Sequence, residues 1–257
     1  MEFSEIDVKI AGARGDVTLN RPAKLNPLST TTLNELVSAA RYLDTLGNVK
    51  VVVVAGSGRA FSAGADLASF AAADTSAAAA REAADAGRRM AEAIEAMNAV
   101  TVASIHGHCV GGGVVLASAC DLRIAADDTR FSIPEVDLGI PLAWGGIPRL
   151  VREIGPARTK ELVMTCRPFG PDEALAAGFL NRVVPASDLG AAVDELVGQL
   201  AGKSALTLTA TKRHTNAVTE QMVGTMRAWN DADSLVTALR DTESRAAGAA
   251  YLKGLGR

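Results

Sequence analysis

The chain has 257 residues, 48% of them hydrophobic and 21% charged, with a formal net charge of −3. Such material is enough for one sizeable buried core and argues against a disordered chain; the mild acidity, with no lysine or arginine tract, excludes the electrostatic footprint of nucleic-acid binding. No run reaches the ~18 apolar residues of a membrane span, and Met1 to Glu5 lack a secretory pattern, so the expectation is a cytoplasmic protein with neither membrane nor nucleic acid as partner.

Taken in chain order, residues 6–10 and 16–20 are β-like and flank Gly12 and Gly15, which predicts an antiparallel hairpin. Ser29-Thr30-Thr31-Thr32 offers capping hydroxyls before Leu33, Leu36, Val37, Ala40 and Leu43 at helical spacing, and Gly47 supplies a stop. Val51-Val52-Val53-Val54-Ala55 and residues 100–105 read as strands buried on both faces. Between them, 74–98 is alanine-rich and helical, with few bulky groups to anchor its start. Gly111-Gly112-Gly113 opens a short apolar helix through 119, and 122–125 and 130–133 read as short strands around Asp127-Asp128. Alternating strands and helices predict βαβ units, with a ligand site where loops leave the carboxyl ends of parallel strands.

From Gly145 the pattern is helical: 146–153, 157–165, 171–177, 189–201, 204–216, 220–240 and 241–255. The expected organisation is therefore an α/β core over 1–200 and a helical segment over 201–257 that packs on a neighbour or forms an oligomer interface. The cysteines, Cys109, Cys120 and Cys166, show no C-x-x-C spacing and read as reduced.

Two loops carry the chemical interest. Ala60-Phe61-Ser62-Ala63-Gly64-Ala65-Asp66 follows a buried strand, and its side chains are too small to catalyse much. Any function there comes from main-chain N–H groups aimed at developing negative charge; on its own the segment reads more readily as a tight structural turn. Gly111-Gly112-Gly113 at a helix start is a second anion-friendly position, or else a close-packing device. Gly56-Ser57-Gly58-Arg59-Ala60-Phe61 begins like a dinucleotide fingerprint but ends on Phe61. His106, His108 and Cys109 have no second ligand cluster, and neither Ser62 nor Ser118 lies in a nucleophile elbow, so no metal is expected and serine hydrolysis is set aside.

These two loops in order, followed by Ala119-Cys120-Asp121 and Pro134-Glu135-Val136-Asp137-Leu138-Gly139, closely resemble the enoyl-CoA hydratase/isomerase (crotonase) family. Asn20-Arg21-Pro22 with Leu25-Asn26, and Ala174-Leu175 with Ala177-Gly178, Leu180 and Val183-Val184-Pro185, extend the resemblance to most of the chain. It implies a crotonase-like α/β fold, a spiral of repeated ββα units with a C-terminal helical segment, assembled as a trimer or dimer of trimers. It also implies an acyl-CoA substrate, with coenzyme A entering as part of that substrate and no separate cofactor.

Carried over by the resemblance, the N–H groups of Ala65 and Gly112 would bind the thioester carbonyl oxygen as an oxyanion hole. Of the two glutamates of the family's hydratases, the first position falls at Val115 and the second at Glu135. One carboxylate suits moving a proton from C2 to C4, a 3-enoyl to 2-enoyl shift, better than adding water, which asks for a base and an acid. The alternatives are a 2-enoyl-CoA hydratase working with Glu135 alone and an acyl-CoA-binding protein without catalysis. Lys24, Leu25 and Ala63 would meet the adenosine part of coenzyme A, Asp66 and Leu67 on the same loop would also bind substrate, and Tyr251 and Lys253 match residues that reach coenzyme A from a neighbouring subunit. Trp144 is expected to line the acyl pocket or to pack. Ala143 stands where family dienoyl isomerases hold an aspartate. If 134–137 is extended, Asp137 shares a face with Glu135; otherwise it caps or pairs locally.

Overall fold

The β-like start of the chain folds as the expected hairpin, β1 (Ile6–Ala11) and β2 (Arg14–Leu19), with Ile6 opposite Leu19 and Ala11 opposite Arg14. The computed structural model describes residues 2–66, 76–228 and 230–254. After the hairpin comes α1 (Thr30–Thr45), whose cap, Ser29, accepts from the Thr32 N–H while Thr32 reaches back to the Ser29 N–H. This reciprocal pairing satisfies donors that a helix start otherwise leaves unmatched.

The valine run becomes β3 (Val51–Gly56), parallel to β2 and to β4 (Val100–Ile105). Its alternate residues face two different cores. Val52 and Val54 pack with α1 and with α2 (Ala77–Glu95), while Val51 and Val53 pack with Val102, Ile124 and the helix at Leu189–Ala201. A strand covered on both sides needs no polar alternation, which is why its sequence is continuously apolar.

Beyond β4 the chain makes β5 (His108–Val110), α3 (Gly112–Ala119), β6 (Leu122–Ala126) and β7 (Arg130–Ser132). The two short strands around Asp127-Asp128 part company here: β6 joins the main sheet, whereas β7 pairs with β5 in a separate two-stranded sheet. The main sheet is completed by β8 (Arg182–Val184), giving the order β1-β2-β3-β4-β6-β8. Only β1 runs against its neighbour, so the loops after β3 and β4 leave the same end of the sheet.

The helical half contains α4 (Gly146–Thr165), α5 (Pro171–Ala176), α6 (Leu189–Ala201), α7 (Ala205–Met222), α8 (Asp231–Ala238) and α9 (Thr242–Gly254). Gly155, with φ 75, and Pro156 kink α4 into the two helices the sequence predicts. The single helix expected over 220–240 does not form. Val223 leaves helical geometry at φ −143, Gly224 follows, and the Glu220 carboxylate binds Arg152 and Thr225 across the break, so the chain restarts at α8. Helix α7 is fastened to the core by Lys212, which pairs with Asp121 at 2.8 Å and donates to the Ala99 carbonyl at 3.0 Å.

Candidate active site

The loop after β3 is held by two side chains that leave its backbone free. Asn26, buried with φ 54, donates through Nδ2 to the carbonyls of Ser57 and Ala60, both at 2.8 Å. The Ser62 hydroxyl donates to the Asn26 carbonyl at 2.8 Å and accepts from the Gly64 N–H at 3.1 Å. Ser62 is thereby a tie and not a nucleophile. The loop then runs beside β5, with Ser62 bridging Cys109, and beside Leu28, which takes Gly64 and Asp66 as its backbone partners. Ala65, between those two, has an N–H with no acceptor among the described residues.

A Cβ on Gly64 would fall 2.7 Å from the Val110 carbonyl oxygen and 3.5 Å from the Gly112 nitrogen, which only glycine permits at its φ of 88. The two loops therefore touch at Gly64. Gly112 is the first residue of α3, and its N–H, like that of Ala65, has no described acceptor. The cap residue Gly111 has no side chain to cover the open helix start.

Glu135 lies over this point. A Cβ on Gly111 would sit 2.2 Å from Glu135 Oε1, so the carboxyl rests directly on the glycine backbone beside the Gly112 N–H. Glu135 is 8% exposed, its Oε2 is buried with no hydrogen-bond partner, and burial pushes its pKa up to about 7, its own backbone N–H offsetting this only in part. The stretch 134–139 is not extended but a helical turn, with the Leu138 N–H donating to the Pro134 carbonyl at 2.9 Å. Residues two apart on such a turn face different ways, and Asp137 is accordingly exposed, so it does not share the Glu135 face.

Ala65, Gly112 and Glu135 line one cleft of about 480 Å³ of empty space, counting the open solvent at its mouth. Its remaining wall is apolar: Val115 from α3, residues 140–144, and Leu235 and Leu239 from α8 and its end. Among the described lining residues Glu135 is the one ionisable group; Val115 and Ala143, also in the wall, carry no carboxyl. Trp144 is 5% exposed and rests against Gly112, in packing contact as well as in the wall.

The other predicted residues fall in two groups. Lys24 is exposed at the end of a single helical turn (Pro22–Lys24), and the Leu25 carbonyl accepts from the Ala63 N–H at 2.8 Å, so Lys24, Leu25 and Ala63 are brought together at the loop. Asp66 pairs with Arg21 at 2.9 Å and so anchors the loop. Leu67 lies outside the described residues. Tyr251 and Lys253 sit on α9, and neither lines the cleft. That helix packs on its own chain: a Cβ on Gly139 would collide with the Ser244 carbonyl and one on Gly248 with the Leu138 carbonyl. Among the described residues no group of three His, Cys, Asp or Glu side chains could hold a metal ion.

Sequence reasoning missed Asn26 and Ser62 as the ties of the loop, although both lie in the matching segments. It also missed Gly87 of α2, which looks ordinary among alanines yet lets the Trp144 ring lie against the helix.

Comparison with known proteins places the chain in a family. Residues 11–253 match the family model for enoyl-CoA hydratase/isomerase. A relative in Mycobacterium bovis, named "Probable enoyl-CoA hydratase", is 37% identical over 189 residues, covering 74% of this chain and 72% of its own length. A peroxisomal Delta(3,5)-Delta(2,4)-dienoyl-CoA isomerase of Arabidopsis thaliana is 34% identical over 229 residues, covering 83% and 82%. The crystal structure of an enoyl-CoA hydratase from Mycobacterium avium subsp. paratuberculosis superimposes with a TM-score of 0.87 at 27% identity, over 97% of this chain and 99% of that one. With loops, turn and cleft in place and the match running through nearly the whole chain, this protein is a member of the enoyl-CoA hydratase/isomerase family and has the crotonase fold.

Proposed function

We propose that the protein shifts the double bond of a 3-enoyl-CoA to the 2-position, using Glu135 as its single acid/base. The observation that carries this reading is the composition of the cleft wall: among the described residues it has one ionisable side chain, Glu135, beside two N–H groups without an acceptor, and Val115 in the wall offers no second carboxyl. In the proposed cycle the thioester oxygen lies between the Ala65 and Gly112 N–H groups. Ionised Glu135 takes a proton from C2, the electron pair moves into the carbonyl, and the resulting enolate oxygen is held by the two donors. The enolate collapses toward C4, which receives the same proton from the now neutral carboxyl, leaving the enzyme unchanged. Donors fixed in advance stabilise this oxyanion without reorganising, and removing one such group costs about 3 kcal/mol of barrier.

A carboxyl with a pKa near 7 suits the task, because it is a stronger base than an ordinary carboxylate yet still half ionised near neutrality. Lys24, Leu25 and Ala63 are proposed to meet the adenosine part of coenzyme A, with Tyr251 and Lys253 acting on it from a neighbouring subunit; no separate cofactor is proposed. The assembly is proposed to be a trimer or a dimer of trimers, and the location cytoplasmic.

A second reading, hydration of a 2-enoyl-CoA by water that Glu135 activates, is favoured by the hydratase names of relatives such as the Mycobacterium bovis protein. The two separate in one experiment. With 3-enoyl-CoA or 2-enoyl-CoA supplied separately, interconversion of the two without 3-hydroxyacyl-CoA supports isomerisation, and accumulation of 3-hydroxyacyl-CoA overturns it. Binding with no conversion of either would instead favour a non-catalytic acyl-CoA-binding protein. Glu135→Gln is expected to lower kcat by about 10²-fold or more while leaving the Kd for acyl-CoA nearly unchanged. An unchanged kcat would remove Glu135 from the mechanism.

A further inference from the structure

Resting on the acyl-thioester reading above, the shape of the chamber says which acyl groups it accepts. Trp144 holds a left-handed φ of 63, a backbone conformation that bulky residues rarely adopt. Its surroundings fix it there. The next residue, Gly145, donates its N–H to Asp231 at 2.8 Å, and buried Arg149 donates to the Gly145 carbonyl at 3.2 Å while its other terminal nitrogen pairs with Glu95. The indole that this clamp projects is wedged between two glycines. A Cβ on Gly87 would fall 1.9 Å from Trp144 Cδ2, and one on Gly112 would fall 2.3 Å from Cζ3. The ring thus fills the space between the start of α3, where the thioester oxygen is bound in the proposed cycle, and helix α2 behind it. Among the described residues of the cleft wall, the others, Val115 and Leu142 included, are shorter.

We infer that the Trp144 indole, clamped by Asp231 and Arg149 and seated on Gly87, sets the length of acyl chain the site accepts and confines it to short apolar chains. With the ring removed, the chamber runs on to α2. With a side chain added at Gly87, the ring is driven toward the thioester end. The two changes therefore act in opposite directions, which a merely structural role for Trp144 does not require.

The test is binding of saturated thioesters, which cannot be isomerised or hydrated at a double bond. Butyryl-, hexanoyl- and decanoyl-CoA are titrated by calorimetry into the full-length wild type, Trp144→Leu and Gly87→Ala, with circular dichroism confirming that each is folded. A methylene accepted or refused by an apolar pocket changes affinity by roughly tenfold. Wild type is expected to prefer butyryl-CoA to decanoyl-CoA, Trp144→Leu to gain at least about tenfold for decanoyl-CoA with little change for butyryl-CoA, and Gly87→Ala to lose hexanoyl-CoA before butyryl-CoA. If Trp144→Leu does not fold, Trp144→Phe carries the same expectation with a smaller gain. A folded Trp144 variant with wild-type chain-length preference overturns the inference, as does a wild type that binds all three thioesters alike. Failure of the wild type to bind any of them would sink the acyl-CoA reading itself, so the two failures are distinguishable.

Discussion

Glu135 illustrates how a site can be built against the stability of its own fold. The folded carboxyl has a pKa of about 7 against an ordinary 4.5, because burial removes water from the charged form. Between those two values the folded state holds a proton that the unfolded chain releases. The contribution to stability is therefore greatest below about pH 4.5 and is lost as pH rises through about 7, a difference of about 3 kcal/mol. Glu135→Gln cannot ionise and so escapes this loss. Thermal unfolding is expected to give the variant a higher Tm than wild type near pH 8 and a similar Tm near pH 4.5; a gap that does not grow with pH would contradict the raised pKa. In the wild type, kcat/KM is expected to fall about tenfold per unit below pH 7, since only the ionised carboxyl can take the proton.

At the scale of elements, the clamp beneath Trp144 joins α2, α4 and the start of α8 through the Glu95 to Arg149 pair and the Asp231 to Gly145 bond. Arg149 is almost fully buried, so Arg149→Met leaves the Glu95 carboxylate with one fewer cation in a poorly solvated place. Glu95 is 23% exposed and keeps Arg152 at 2.6 Å, so the loss is smaller than that of stranding a buried charge and is expected at about 1–2 kcal/mol. Urea unfolding is expected to show that loss, and a change below about 0.5 kcal/mol, the range of an ordinary surface substitution, would show the pair to be inert. Little of this clamp was legible in the sequence. The hydroxyls before α1, the valine strand and the glycine-led start of α3 could be read because capping, two-sided burial and conformational freedom each leave a local signature. The Glu95 to Arg149 pair spans 54 residues, the left-handed Trp144 is imposed by tertiary contacts, and β8 is only three residues long. The helical turn of Glu135 was misread as a possible strand for a related reason, since Pro134 suits either conformation at its first position. The pairing of the two oxyanion loops came through the resemblance of the whole motif set; neither loop alone distinguished a site from a turn.

At the scale of the whole molecule, the C-terminal helices leave apolar groups in water. Val218 and Met222 share one face of α7 and are 52% and 77% exposed, and Met226, after the helix break, is 82% exposed. Apolar groups clustered on one surface favour association, and the proposed trimer would cover them. The double variant Val218→Glu, Met222→Glu is expected to sediment as a smaller species than wild type in analytical ultracentrifugation. An unaltered sedimentation coefficient would put the subunit contact elsewhere.

The backbone of α9 lies so close to the 138–139 segment that neither Gly139 nor Gly248 has room for a methyl group. Main chain against main chain leaves no side-chain layer to slip, so helix and turn must open to solvent as one unit. Amide deuteration should then proceed at matched rates in residues 135–139 and 242–250, and a helix that exchanges freely while the turn stays protected would show them to be independent. If they are matched, fraying at the carboxyl terminus wets the Glu135 carboxyl, and loss of the final helix restores an everyday acidity to the group that the buried site had made unusual.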